Sequence, residues 1–386
     1  INEAKSILER LGFTCSLQDG ELTAITPSNR TDIESGFVGK SNLIEEVSRI
    51  YGYNRIPTVR LSGELPPQGS DHQVALEETV RDTLISLGLQ DTLAYRLTSV
   101  QREGRILPGA PAETGLDYVR IANAISPERT VMRRSGLATM LELIERNNRY
   151  AGGLSFFEIG PVFIPVEGQE LPDEPHRLTI GLWGKKRQTG WSGEKPGVYS
   201  IFDLKGVLEA LFQGLHLENI AFDASSENQT FHPGKTARLM AGETEIGVMG
   251  EVHPLVRRNY DFLEGPVLAA ELYLDQILTL VDKGFKVSSI SNFPAMVEDI
   301  ALIVDENVPA SRVEELIWRA GGKLLKKVEL FDLFRGEKIG AGKKSLAYQL
   351  TYQAFDRTLS VADAAGIRKK IVKTLAYEIG AVLRDS

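Results

Sequence analysis

The chain has 386 residues, of which 25% are charged and 42% hydrophobic, and a net charge of −8. That length suits two to three domains with cores of their own, and the acidic balance speaks against a generic nucleic-acid binder. No apolar run approaches the roughly 18 residues of a membrane span, no basic, apolar leader opens the chain, and a lone Cys15 gives no disulfide framework or Cys-based zinc site.

The cysteine usage points to a reducing compartment, expected to be the cytoplasm, with Cys15 itself read as a packed residue. The chain opens on Ile1 and enters a helical pattern at once, so it is expected to be a piece of a longer polypeptide. His72, His176, His216, His232 and His253 are scattered, and none pairs at a metal-ligand spacing. Charge is unevenly spread. From Lys286 to Ser386 there are 16 Lys/Arg against 13 Asp/Glu, a net of +3, so the remainder carries −11. A mildly basic tail on an acidic body is compatible with steering of a polyanion.

In chain order, Asn2–Glu9 predicts a helix stopped at Gly12. Phe13–Leu17 and Glu21–Thr26 predict strands around the Asp19-Gly20 turn. The stretch PSNRTDIESGFVGKSNLIEEVSRIYGYNRIP, residues 27–57, predicts an Asp-containing loop and then a short acidic helix with Leu43, Val47, Ile50 and Tyr51 on its apolar side. Asp32, Glu45 and Glu46 have two readings: oxygen ligands for a divalent cation, or acidic residues favoured at a helix start, with Asn42 and Glu45 as a capping pair. Leu61–Ser70, rich in Pro, Gly and Ser, predicts a linker.

Asp71–Leu87 predicts an amphipathic helix ending at Gly88. Strands are expected at Thr92–Leu97 and Tyr118–Ile121. A helix is expected in the second half of residues 123–149. Leu154–Ile164 reads as a strand pair broken at Gly160-Pro161, and Leu178–Trp183 as a strand. A helix over Phe202–Gly214 and strands through Gly247-Val248 and Val267–Leu274 complete this part. Many strands with few helices between them predict α+β with a mostly antiparallel sheet. The last hundred residues read strand Glu298–Val304, helix Ser311–Ala320, strands Leu324–Phe334 and Ser345–Tyr352, helix Ala362–Glu378 and strand Ala381–Arg384. This βαββαβ order is the ferredoxin-like split motif, which does not by itself give function. Phe331, Phe334, Tyr348 and Tyr352 are read as packing aromatics, with base stacking as the alternative.

Three motif sets resemble the C-terminal half of the bacterial-type phenylalanyl-tRNA synthetase beta subunit, over Ile1–Ser386. PSNRTDI…LIEEVSRIYGYNRIP is similar to that family's B5 domain. NAISPERTVMRRSGLATMLELIERNNR, FFEIGPVF, GVMGEVHP and AAELYLDQI are similar to its class II synthetase-like core. SNFPAMVEDIALIVDENV…VELFDLFRG…GKKSLAYQLTYQAFDRTLS is similar to its ferredoxin-fold anticodon-binding domain. The domains expected from this are 1–70, 71–284 and 285–386: a small B5-like domain, an antiparallel-sheet core, and the ferredoxin-like tail.

The resemblance implies an α2β2 heterotetramer that charges phenylalanine tRNA at the expense of ATP, with the active site on the alpha chain and no catalytic residue here. The residues agree, because class II activation needs a cationic side chain on the activating strand pair. FFEIGPVF offers Glu158 and no Arg. Arg133 and Arg134 are read as interface or structural ion-pair residues instead of phosphate ligands. The resemblance further implies magnesium shared with the alpha chain at Asp32, Asn42, Glu45 and Glu46, where Asn42 stands in place of a second Asp and SGFVGKS is a longer loop than usual. It also implies anticodon contacts at Ala301, Asp332, Ser345 and Arg384. The competing readings are an autonomous ligase and an RNA-binding or interaction module with no role in aminoacylation.

Overall fold

A computed structural model describes residues 1–59, 63, 69, 71–186, 191, 196–224, 227–281, 287, 289–336 and 339–384. The expected linker at 61–70, apart from Gly63 and Gly69, and the expected boundary at 284/285 lie outside the described residues. The chain divides into two compact units, Ile1–Thr79 and Val80–Ser386.

The first unit starts with helix α1 (Asn2–Arg10), which buries Ile7 and Leu8. An antiparallel hairpin follows, β1 (Thr14–Gln18) and β2 (Glu21–Ile25), closed by Asp19 and Gly20, both at positive φ as a primed two-residue turn requires. Helix α2 runs from Gly36 to Tyr51. This corrects the expectation in two ways. SGFVGKS is not a long loop, because residues 36–42 already belong to the helix, and Asn42, Glu45 and Glu46 lie in its interior, away from its start. Gly36 and Gly39 suggested a loop by their low helix propensity. Gly39 is instead buried where the helix crosses the incoming backbone: a Cβ there would stand 1.9 Å from the Glu34 carbonyl oxygen.

The boundary between the units falls within α3 (His72–Ser86). In the second unit, β3 (Gln90–Asp91), β4 (Leu97–Thr98), α4 (Val100–Gly104) and β5 (Val131–Met132) precede α5 (Leu137–Asn147). Then come β6 (Gly153–Pro161), β7 (His176–Gly184), α6 (Ile201–Gly214), β8 (Ile220–Asp223), β9 (Phe231–Ala241), β10 (Thr244–Val252), α7 (Pro254–Arg257), β11 (Val267–Tyr273) and α8 (Leu274–Leu280). The sheet order is β3-β6-β7-β11-β10-β9-β8, antiparallel except for the β3–β6 pair. The mostly antiparallel expectation therefore holds, while details differ. Residues 92–96 are not a strand, Tyr118–Ile121 contributes only a bridge from Arg120 to Val131, and Gly153–Pro161 is one continuous strand. Amphipathic α5 lays Leu137, Met140, Leu141 and Ile144 against this sheet. Gly181 gives it room, since a Cβ there would stand 2.8 Å from the Met140 and Ile144 side chains, which would have to shift.

The rest of the unit is β12 (Met296–Asp305), α9 (Ala310–Gly321), β13 (Leu325–Phe334), β14 (Lys343–Tyr352), α10 (Val361–Ile379) and β15 (Val382–Leu383). Its sheet order is β13-β14-β12-β15, antiparallel throughout, which is the ferredoxin-like arrangement. Period-two alternation points Ile300, Leu302, Val304, Leu346, Tyr348, Leu350 and Tyr352 at the helices, where they pack with Val313, Leu316, Ile317, Ile371 and Leu375. A Ser360/Asp363 capping box starts α10, and Gly380 in the left-handed region ends it. The helices cover one face of this sheet and leave Ala301, Ile303, Ser345 and Ala347 on the other.

Gly39→Ala is expected to destabilise the first unit by on the order of 1–3 kcal/mol, because the added carbon must displace backbone. Early protease cleavage within residues 1–59, with β6–β11 still protected, would register it; an unchanged cleavage rate would mean that α2 absorbs the methyl.

Candidate functional site

Arg30 organises the acidic residues of the first unit. Its Nε and Nη2 donate to Asp32 Oδ1 and Oδ2 at 2.9 and 2.8 Å, and Nη2 also donates to Glu46 Oε1 at 3.0 Å. Arg49 Nη2 holds the other Glu46 oxygen at 2.6 Å. The Arg30 hydrogen bonds keep the Asp32 carboxyl low, at about 2, and the two arginines likewise lower that of Glu46. Phe13 lies 5.8 Å from the Arg30 guanidinium and supports it from the side of the hairpin. Asn42 is one turn before Glu46 on the same side of α2, and its buried Oδ1 accepts no hydrogen bond among the described residues. Capping, one of the two readings of Asn42, is thereby removed. Glu45 is exposed. Carboxylate and amide oxygens are the donors a hard cation takes, but among the described residues no three His, Cys, Asp or Glu side chains are grouped so as to hold a metal ion. The cation that stands between Asp32 and Glu46 in this chain is Arg30.

In the core of the second unit, Arg133 and Glu158 form an ion pair that is 2% and 3% exposed, with Arg133 Nη1 at 2.9 Å from both carboxylate oxygens. Arg133 Nε also donates to the Pro161 carbonyl at 3.1 Å, and Ala94 N–H to Glu158 at 3.3 Å. Arg133 is thus the structural ion-pair residue that the sequence reading expected. Arg134 donates to the Asp117 carbonyl and lies over the Tyr118 ring. A cavity of about 530 Å³ beside α4 and α5 is lined by Arg102, Arg105, Glu142 and Glu145 among others. Of its three arginines, Arg102 is bound to Glu142 and Arg105 to Glu145, while Arg146 is largely exposed and lies 3.9 Å from Glu142.

Among the carboxyls not picked out in the sequence are Glu103, 3% exposed, whose polar neighbours make it look like surface, and Glu271, half-buried between Ala270 and Leu272. Glu103 Oε2 accepts from Arg134 N–H at 3.2 Å, while Oε1 has no partner among the described residues. Burial raises this carboxyl to about 8. Glu271 accepts from Ser135 Oγ at 2.8 Å and Gly136 N–H at 2.6 Å, and burial raises it too.

The four residues expected to face an anticodon come together on the helix-free side of the four-stranded sheet. Ala301 and Asp332 both pair with Ala347 of the central strand, one from each side. Ser345, two residues back on that strand and on the same face, pairs with Ile303 and Phe334. Arg384 N–H donates to the Ala301 carbonyl at 2.8 Å, its Nη1 reaches Ser345 Oγ at 3.5 Å, and its guanidinium lies 5.4 Å from the centre of the Phe334 ring. The strand aromatics divide by face: Tyr348 and Tyr352 are fully buried under the helices, whereas Phe331, at a bulge, and Phe334 are partly exposed.

Comparison with known proteins matches residues 1–53 to the tRNA synthetase B5 domain, 56–274 to the phenylalanyl tRNA synthetase beta chain CLM domain, and 291–384 to the ferredoxin-fold anticodon binding domain. Similar curated proteins include the phenylalanine–tRNA ligase beta subunit of Clostridium acetobutylicum, 36% identical over 99% of this chain and 46% of that protein, and its counterpart in Clostridium tetani, with the same identity and coverage. The chain therefore spans about half the length of the curated relatives it matches. Among solved structures, pyrrolysyl-tRNA synthetase from Desulfitobacterium hafniense overlaps 54% of this chain and 68% of its own at 14% identity and a TM-score of 0.41, too low to carry weight.

The raised Glu103 carboxyl has a consequence for stability. The folded chain keeps a proton that the unfolded chain releases above its ordinary value of 4.5, so stability falls as pH rises from there to about 8 and is level beyond. Glu103→Gln, which cannot ionise, is expected to melt progressively higher than the parent as pH is raised from 5 to 8, by an amount on the order of a few kcal/mol at the upper end. Parallel melting curves across that window would show that Glu103 does not hold the proton.

Proposed function

The chain belongs to the phenylalanyl-tRNA synthetase beta chain family, and from that membership we propose that it is the scaffold and tRNA-positioning part of a phenylalanine–tRNA ligase, working with a catalytic alpha subunit in an α2β2 assembly. In this reading ATP and phenylalanine are handled by the partner, and the chain supplies assembly surfaces and an anticodon site. The work takes place in the cytoplasm, and no helix among the described residues is long and apolar enough to cross a membrane. The domain division remains 1–70, 71–284 and 285–386.

The observation that carries the tRNA role is the alignment of Ala301, Ala347 and Asp332 across three strands, with Ser345 and Arg384 beside them on a face without helices. A carboxylate, a hydroxyl and a guanidinium there can exchange hydrogen bonds with the exposed edges of unstacked bases. Small side chains at Ala301 and Ala347 leave the sheet surface open to a flat ring, and Phe334 beside Arg384 offers a stacking surface. In the core, Glu158 is bound to Arg133, Arg102 to Glu142 and Arg105 to Glu145, which supports a structural role for this region and chemistry on the partner.

Magnesium shared with the alpha chain belongs to the same proposal, with Asp32, Asn42, Glu45 and Glu46 as its oxygen donors. When bound, the ion would neutralise carboxylates at the seam between chains. Asn42 Oδ1, buried and lacking a donor, is the feature of this chain that supports it.

Mixing the chain with a phenylalanine-specific alpha subunit is expected to give one species on size exclusion; separate elution at micromolar concentrations would refute the scaffold role. In the assembled enzyme, Asp332→Ala and Arg384→Ala are each expected to weaken phenylalanine tRNA binding roughly tenfold or more. Unchanged affinity in both would remove the anticodon assignment while leaving the assembly role intact.

A further inference from the structure

We propose that the groove between α9 and α10, on the helix side of the ferredoxin-like part, is a second RNA contact. Lys370 and Lys373 hold the phosphate backbone of a strand there, and Tyr377 gives a base a surface to stack on. The inference goes beyond the anticodon reading and does not depend on it, because it concerns the opposite face.

The charge of this part of the chain points to the groove. From Lys286 to Ser386 the chain is net positive, yet the excess does not lie on the helix-free face. The register places Asp299, Asp305, Glu329 and Asp332 on that face, against Lys327, Lys343 and Arg384. Lys327 is moreover bound to Glu329 at 2.7 Å. A face with more carboxylates than cations can read base edges, but it does not attract a phosphate backbone. Phosphate contacts supply a large share of the affinity of proteins for nucleic acids.

Helix α10 carries the missing charge. Its residues 368–373 read RKKIVK, with Ile371 buried beneath them. Arg368 is committed to Glu298 at 2.9 Å, whereas Lys369, Lys370 and Lys373 are exposed and form no ion pair among the described residues. Lys370, Lys373 and Tyr377 recur at helical spacing and share one side of α10. There they line a cavity of about 390 Å³ with Arg319 of α9 and Glu378. Glu378 does not cancel the lysines, since Arg319 holds one of its oxygens at 2.6 Å and Arg312 lies 3.6 Å from the other. Tyr377 is 89% exposed, so its ring is left to solvent beside the two ammonium groups. Lysines three apart on a helix stand about 5–6 Å from each other, close enough to take neighbouring phosphates of one strand. An aromatic ring one turn further on can stack a base of that strand without reading its identity. An acidic peptide would answer the same charge without needing the ring, and Tyr377 is therefore what favours RNA.

Fluorescence anisotropy of a labelled uridine oligomer of about 12 nucleotides, titrated with the full chain at about 50 mM salt, tests this. Lys370→Gln/Lys373→Gln is expected to weaken binding about fivefold or more, and to flatten the slope of log affinity against log salt by about 1.4, as for two phosphate contacts on a single strand. Lys5→Gln/Lys40→Gln removes the same charge from the first unit and is expected to cost less than about twofold. Tyr377→Ala is expected to weaken the oligomer about fivefold and to leave binding of inorganic polyphosphate unchanged. Each variant is checked for native circular dichroism. Equal losses from the two lysine pairs would reduce the effect to net charge and overturn the groove, as would no binding by the parent at concentrations on the order of 100 μM. If Asp332→Ala/Arg384→Ala abolishes oligomer binding and the α10 lysine pair does not, the strand lies on the sheet; this inference then falls while the anticodon reading stands. Displacement of the oligomer by polyglutamate as readily as by unlabelled uridine oligomer would give the groove to an acidic protein segment and overturn its assignment to RNA.

Discussion

Arg133 and Glu158 form the most deeply buried ion pair among the described residues of the second unit. A guanidinium and a carboxylate with almost no exposure lose their hydration, and only close, multiply hydrogen-bonded geometry offsets that loss. The surroundings are shaped accordingly. The Pro161 carbonyl accepts from Arg133 Nε, Ala94 N–H reaches Glu158, and Gly160 is needed because a Cβ would come within 2.6 Å of Arg133 Nη2. Three separate stretches of chain, the Ala94 segment, the approach to α5 and the end of β6, are therefore tied at one buried point. Breaking one partner would leave the other charged and unpaired, a loss of about 3–5 kcal/mol.

The same economy recurs around the pair. Arg102 and Arg105 on α4 and at its end bind Glu142 and Glu145 of α5, and Arg105 also donates to the Asn259 carbonyl. In the first unit Arg30 and Arg49 take up Asp32 and Glu46. Each of these guanidiniums is directed at a carboxylate of its own chain, so the fold consumes the groups that a phosphate-handling site would keep available. Arg384 differs. Among the described residues its guanidinium meets a hydroxyl at 3.5 Å and an aromatic face.

What the sequence disclosed followed the strength of its periodicity. In the last hundred residues, strict alternation in β12 and β14 and helical spacing in α9 and α10 placed every element within a few residues, because one face of each is buried against a single core. Where the chain is buried on both sides or runs irregularly, pattern failed. The stretch 92–96 has strand-like residues but is held by contacts to Glu158 and Phe157, not by a ladder. Strand β9, which the sequence pattern leaves unplaced, carries a His-Pro-Gly-Lys run, and its pairing with β10, through bulges, supplies the order. Gly36 and Gly39 hid the first two turns of α2, since a packing constraint at the Glu34 carbonyl outweighs helix propensity.

Among the candidate residues, the four on the ferredoxin-like sheet came together because strand register is a local property that resemblance transfers faithfully: Ala301, Ala347 and Asp332 lie in one row. Arg30 was invisible as a partner because the link to Glu46, sixteen residues on, depends on where α2 begins, and the glycines concealed that start. The two sites differ in a way that follows from this. On the sheet, backbone ladders fix the positions, with Asp332 exposed and Ser345 only 3% exposed beside Arg384. On the helix, position and charge are both settled by arginines, so any ligand must first compete with the protein's own contacts. Backbone pairing sets the one group of residues, and side-chain ion pairs set the other.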